Sequence, residues 1–84
     1  MKHAGTVALE ALHDSLASLR TRTGLVERRP GIFYVAGKAF LHFHEDPAGV
    51  FADLRQGGDW RRFPVNNLDE RAELIAAVDR TRPR

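Results

Sequence analysis

The feature of this sequence that most restricts its fold is a two-residue alternation of apolar side chains between residues 32 and 55. Successive side chains of a β-strand point to opposite faces of its sheet, so alternation gives a strand one apolar side. Three segments, 32–36, 39–44 and 50–55, show it. Their apolar sides together hold Phe33, Val35, Ala39, Leu41, Phe43, Val50, Ala52 and Leu54. Slipping 50–55 by one residue would bury Asp53 and Arg55, which a small core cannot tolerate. The pattern therefore predicts an antiparallel sheet with this side buried.

Two helical segments are placed to cover that side. Leucines spaced by three and four predict one helix over residues 7–20, with Thr6 as its cap. Asn67 followed by Glu70 is a capping-box variant, which predicts a second helix whose stripe starts at Leu68. Segments 25–29 and 60–65 are weaker strand candidates, and Pro64 restricts the latter to an edge. We therefore predict a single α+β domain over residues 1–84. Its architecture is a two-layer sandwich: an antiparallel meander of four or five strands with the N- and C-terminal helices on one face.

The side of the predicted sheet that faces away from the helices is called the open face. Its predicted members are Ile32, Tyr34, Phe40, His42, His44, Phe51, Asp53 and Arg55. Left uncovered, such a face exposes an apolar patch of roughly several hundred Å², which usually marks a partner or ligand site. We interpret the chain as a non-enzymatic binding or self-association module, with a homodimer as the first expected partner. Phe40→Glu or Phe51→Glu should then give a folded monomer.

Composition excludes several classes of protein. The 84 residues carry 13 Lys and Arg against 11 Asp and Glu, a net charge of +2, and no cysteine. A disulfide, a thiolate metal site and a cysteine nucleophile are thereby excluded. No apolar run reaches the roughly 20 residues that span a bilayer. Glu10, His13 and Asp14 stand where a signal peptide needs its apolar stretch, so a cytoplasmic location is expected. The Arg- and Ala-rich, Lys-poor composition indicates a GC-rich bacterial genome.

Two histidines and an aspartate of the open face offer a metal site. His42 and His44 share one side of a strand, about 7 Å apart along it. A turn near Pro47 would bring Asp53 across from His42. Two histidines and a carboxylate are a known set of ligands for zinc or iron. In the alternative, which we favour, these are half-buried polar side chains with Asp53 bonded to His42 or Arg55. Zinc or a small ligand remains the second hypothesis.

Catalysis and nucleic-acid binding have weaker support. Ser15 and Ser18 lie on the first predicted helix, and no glycine-rich phosphate loop is present, so no catalytic residue is assigned. Arg28, Arg29, Arg61 and Arg62 could form a basic edge. Trp60, Tyr34 and Phe63 could stack bases beside them. Eleven acidic residues dilute that charge, so weak nucleic-acid binding stays a third hypothesis.

The stretch "GKAFLHFHEDPAGVFADL", residues 37–54, carries a strand with spaced histidines followed by a strand with an aspartate. It resembles the luciferase-domain proteins of unknown function. The arrangement of elements over residues 24–80 also resembles the YjbR/MmcQ group, an α+β domain whose antiparallel sheet is flanked by helices. Both resemblances imply the fold and no particular activity.

Overall fold

The computed structural model describes residues 2–82, which form three helices and six strands. In chain order the elements are β1 (Lys2–His3), α1 (Thr6–Ala11), α2 (His13–Leu19), β2 (Leu25–Arg29), β3 (Ile32–Val35), β4 (Lys38–Asp46), β5 (Gly49–Gln56), β6 (Asp59–Pro64) and α3 (Leu68–Thr81). Strands β2 to β6 form an antiparallel meander in sequence order, which confirms the predicted sheet. Pro64 ends β6 at an edge, as expected, because proline has no N–H for the ladder.

Strand β1 was not predicted. It pairs antiparallel with β4 beyond the end of β3, with Lys2 opposite Glu45 and His3 opposite His44. The Ala4 amide continues the pairing by donating to the Phe43 carbonyl at 3.1 Å. A strand of two residues has no periodicity to detect in the sequence.

The core lies between one face of the sheet and the helices, as predicted. Phe33, Leu41, Phe43, Ala52 and Leu54 are buried on the sheet side. The helices contribute Leu12, Leu16, Leu19, Leu74, Ala77 and Val78 to the same cluster. Burial of these apolar side chains is the main term that stabilises the fold. The two-layer α+β architecture is therefore confirmed.

The first predicted helix is two helices. It breaks at Leu12, whose φ of −96° and ψ of 10° lie outside helical geometry, and the Leu12 amide donates to the Leu9 carbonyl. Thr6 is the first residue of α1 and does not cap it, because Gly5 holds the cap position without a side-chain bond. The leucine stripe survives the break, since Leu12 itself is almost fully buried.

Helix α3 begins as predicted, and its predicted stripe is confirmed only in part. The Asn67 side chain accepts the Glu70 amide at 2.9 Å, which confirms the cap. Leu68 is 79% exposed, so its predicted core role is wrong. The buried positions are Leu74, Ala77 and Val78, and Ile75 packs against the core, so the stripe predicted to start at Leu68 is buried only in its second half.

A β-bulge moves Phe40 from its predicted face. Ala36 and Gly37, both with positive φ, make a two-residue turn that sets Val35 opposite Lys38 and Tyr34 opposite Ala39. Regular pairing from this turn would carry Leu41 to the open face. One extra residue, Phe40, restores Leu41 to the core opposite Phe33. The prediction that Phe40 lies on the open face is therefore wrong: it is 6% exposed and belongs to the core cluster, whereas Ala39 lies opposite Tyr34 and is half-buried.

Candidate binding surface on the open face

Three histidines cluster on the open face. His42 and His44 alternate along β4 on the side away from the helices, as predicted, and β1 places His3 directly opposite His44. The His3 and His44 rings stack with centroids 5.3 Å apart. The centroids of His42 and His44 are 5.8 Å apart, and those of His3 and His42 are 6.2 Å apart. No sequence pattern predicts the position of His3, because that position depends on the two-residue strand β1.

Asp53 links this cluster to β6. Its Cα lies opposite that of His42, which confirms the predicted hairpin register. Its carboxylate bonds elsewhere: Oδ2 lies 3.2 Å from His44 Nε2, and both oxygens accept from Arg62, at 2.9 and 3.2 Å. The predicted partners His42 and Arg55 are therefore wrong. Arg62 stands directly opposite Asp53 on β6, which brings its guanidinium to the carboxylate.

Trp60 forms the exposed part of the open face next to the histidines. Its ring centroid is 4.9 Å from that of His42, and 41% of the residue is exposed. The Arg55 guanidinium lies over the indole, 4.5 Å from its centroid. Arg55 also donates from Nε to the Ala39 carbonyl at 2.8 Å, so it supports the bulge. The indole therefore lies between a cation and an imidazole.

The environment of the histidines favours their neutral form. Burial lowers the pKa of His42, and the neighbouring His44 and His3 lower it further. Burial also lowers the pKa of His44, against the opposing effect of the Asp53 carboxylate. Desolvation disfavours a charged imidazole. At neutral pH both rings are therefore uncharged donors and acceptors.

The predicted metal ligands do not assemble. Among residues 2–82, no group of three or more His, Asp and Glu side chains is arranged to hold a metal ion. His42 and His44 are neighbours, but both oxygens of Asp53 bond to Arg62 and one also lies beside His44. The set of His42, His44 and Asp53 therefore does not fit a zinc or iron centre in this arrangement.

The two arginine pairs that were predicted to form one basic edge lie far apart in the structure. Strands β2 and β6 are opposite ends of the meander, so Arg28 and Arg29 lie roughly 19 Å from Arg61 and Arg62. Arg61 faces the helix side, where its guanidinium covers Phe63 at 4.7 Å. Phe63 is 6% exposed and cannot stack a base. The prediction of a single basic edge is therefore wrong.

The open face nevertheless concentrates positive charge. Arg28 covers the Tyr34 ring at 4.7 Å, and a bulge places both Arg28 and Arg29 opposite Ile32. Among residues 2–82, the remaining cationic side chains of the face are Arg55 and Arg62. Of the eleven acidic residues, the strand register assigns only Asp46 and Asp53 to the open face. The other nine lie on helices or on the helix side of strands. Four arginines against two aspartates give this surface a positive charge that the overall composition conceals.

The two serines of the chain lie far from the His44–Asp53 pair. Ser15 and Ser18 both lie on α2, in the layer on the far side of the sheet. Ser15 is 8% exposed, and the Ser18 hydroxyl accepts from Arg22 at 2.7 Å. Neither serine can therefore be activated by His44.

Comparison of the chain with protein-family models, with curated proteins and with solved structures finds no significant match. The resemblances to the luciferase-domain proteins and to the YjbR/MmcQ group therefore stay predictions. In the part of the chain that the structure describes, no helix is both long enough and apolar enough to cross a membrane.

Proposed function

We propose that this chain is a non-enzymatic binding module that contacts its partners, and associates weakly with a second copy of itself, through the open face. The observation that carries the proposal is a face of the sheet, formed mainly by strands β2 to β6, that no helix covers among residues 2–82. Val26 and Trp60 are 54% and 41% exposed there. Ile32, Tyr34 and Phe51 lie among them, half-buried. A flat surface of rings, aliphatic side chains and hydrogen-bonding groups is typical of a contact surface.

The size of the face limits the strength of self-association. Five strands spaced by about 4.8 Å, each with about six residues that rise about 3.3 Å apiece, cover a flat area of roughly 480 Å² per copy. Specific interfaces usually bury about 800 Å² per partner. A dimer through this face alone should therefore be transient, with a dissociation constant of about 10 µM or higher. Arginines on both copies also repel each other, so salt should strengthen the dimer.

Phe51→Glu should abolish self-association and leave the fold intact. Phe51 is half-buried on the open face, between His44 and Pro64 on the neighbouring strands. A glutamate at this position is hydrated in the monomer but would lose its water in the dimer, and burying its charge would destabilise the dimer. Sedimentation velocity over a concentration series, at low and high salt, measures the effect.

The matched control is Val7→Glu, because Val7 is 83% exposed on α1, outside the open face. It should associate like the unaltered chain. Self-association through the open face is contradicted if the unaltered chain stays monomeric at high concentration and high salt. Equal effects of the two variants would contradict it as well.

A further inference from the structure

We propose that the open face binds single-stranded nucleic acid, with its arginines on the phosphates and bases stacked on its exposed rings. The inference rests on the proposed function, because it uses the same surface. It differs in the partner and in the forces involved, so the two can fail separately.

Charge complementarity is the first argument. Arg28, Arg29 and Arg62 are exposed on the open face, and Arg55 lies half-buried between them. Two acids oppose them: Asp53 pairs with Arg62 and offsets one positive charge, and Asp46 offsets a second, which leaves the surface positive overall. Asp53 bonds to Arg62 and His44, and Asp46 accepts the Ala48 amide at 2.8 Å. A second copy would bring arginines against arginines, whereas a phosphate backbone matches this surface.

The rings are the second argument. Trp60 and Tyr34 lie on the open face, each with a guanidinium over its ring, at 4.5 and 4.7 Å. Arg28, which forms no salt bridge among residues 2–82, can turn to an adjoining phosphate and leave its position over Tyr34 to a base. Arg55 stays bonded to the Ala39 carbonyl and supplies fixed positive charge beside the exposed part of Trp60. Stacking of bases on aromatic side chains combined with basic residues is how sequence-tolerant single-strand binders work.

The shape of the face favours a single strand over a duplex. Readout of a duplex needs a helix or a two-stranded ribbon that enters the major groove. Here both helical segments are on the far side, and the five-stranded face is too broad for a groove of about 12 Å. Bases of a single strand are unstacked and can lie flat on a sheet.

Trp60 supplies the readout, because it is the lone tryptophan of the chain and lies on the open face. A fluorescein-labelled oligothymidine of about 12 nucleotides matches the usual site size of such surfaces. The oligonucleotide is added to protein held at about 1 µM, which is below the concentrations at which the dimer is expected to form. We expect the bound oligonucleotide to quench Trp60 emission. We also expect its fluorescein anisotropy to be higher than that of the free oligonucleotide. Affinity should fall with salt, with a log–log slope of about −2 to −3 for four arginines.

Substitutions localise the binding. Arg62→Gln and Arg28→Gln should each weaken binding several-fold, and Trp60→Ala, followed by anisotropy, should weaken it about 10-fold or more. The matched control is Arg61→Gln. Arg61 is the neighbour of Arg62 in sequence and, like Arg28, covers a ring at 4.7 Å, but it lies on the helix side. It should bind like the unaltered chain, and circular dichroism confirms that each variant is folded.

Three results would overturn the inference. The first is no change in Trp60 emission at low salt. The second is equal binding of a duplex or of inorganic polyphosphate, which would indicate a general attraction to polyanions. The third is an equal loss for Arg61→Gln and Arg62→Gln. If any of these occurs while Phe51→Glu still abolishes self-association, the proposed function stands and the nucleic-acid partner is wrong.

Discussion

Replacing Phe40 with glutamate should unfold the protein, whereas the same replacement at Phe51 should leave it folded. Both phenylalanines were assigned to the open face by simple alternation. The bulge in β4 instead places Phe40 in the core cluster at 6% exposure, and Phe51 stays half-buried on the open face. Loss of a buried phenylalanine costs about 3–5 kcal/mol, and an unpaired buried carboxylate adds to that. The total is of the order of the stability of a whole small domain, about 5–10 kcal/mol.

Circular dichroism and urea unfolding of the two variants measure this difference. Phe40→Leu serves as the control, because it keeps an apolar side chain and should cost about 1.5 kcal/mol or less. A folded Phe40→Glu variant with near-normal stability would show that strand β4 runs without the bulge and that Phe40 faces solvent.

The second large effect is expected at Phe33. This side chain is fully buried, and its ring meets that of Phe43 edge-on with centroids 6.5 Å apart. Phe33→Ala should destabilise the fold by about 3–5 kcal/mol, through lost burial and the cavity left behind. Tyr34, the next residue, lies half-buried on the open face, so Tyr34→Ala should cost about 1 kcal/mol.

Urea midpoints of the two variants, read with an unchanged slope, give the comparison directly. Phe33 and Tyr34 point to opposite faces of the sheet. If helices cover only one face, the losses of stability in the two variants should differ by several kcal/mol. Similar losses at Phe33 and Tyr34 would mean that both faces are buried.

The main features of the fold could be predicted because they follow from short-range patterns. Alternation identifies strands and their buried sides, leucine spacing identifies a helical stripe, and Asn67 marks a helix start. The bulge could not be predicted in the same way. It compensates for the register set by the turn at Ala36, a non-glycine residue with a φ of 51°. The break at Leu12 likewise leaves the periodicity of the leucines unchanged.

The candidate site was predicted only in part. His42, His44 and Asp53 come together because they lie on adjacent strands of one hairpin. His3 joins them through strand β1, whose pairing with a segment far along the chain is not encoded in a local pattern. Arg62 joins them through the β5–β6 hairpin, only nine residues from Asp53, but segment 60–65 is a weak strand candidate in the sequence, which leaves its register unassigned. The excess of positive charge on the open face was hidden for a related reason. Whether a charged residue faces the helices or the open side depends on register, and overall composition contains no information about it.

The most direct measurement of whether the open face is bare is solvent paramagnetic relaxation of side-chain protons, with a neutral gadolinium chelate and dilute, monomeric protein. The imidazole protons of His3 and the indole protons of Trp60, both exposed, should relax much faster than the ring protons of Phe33 and Phe43, which are buried. If the imidazole and indole protons were instead as protected as those of Phe33, the face would be covered and could not be the contact surface.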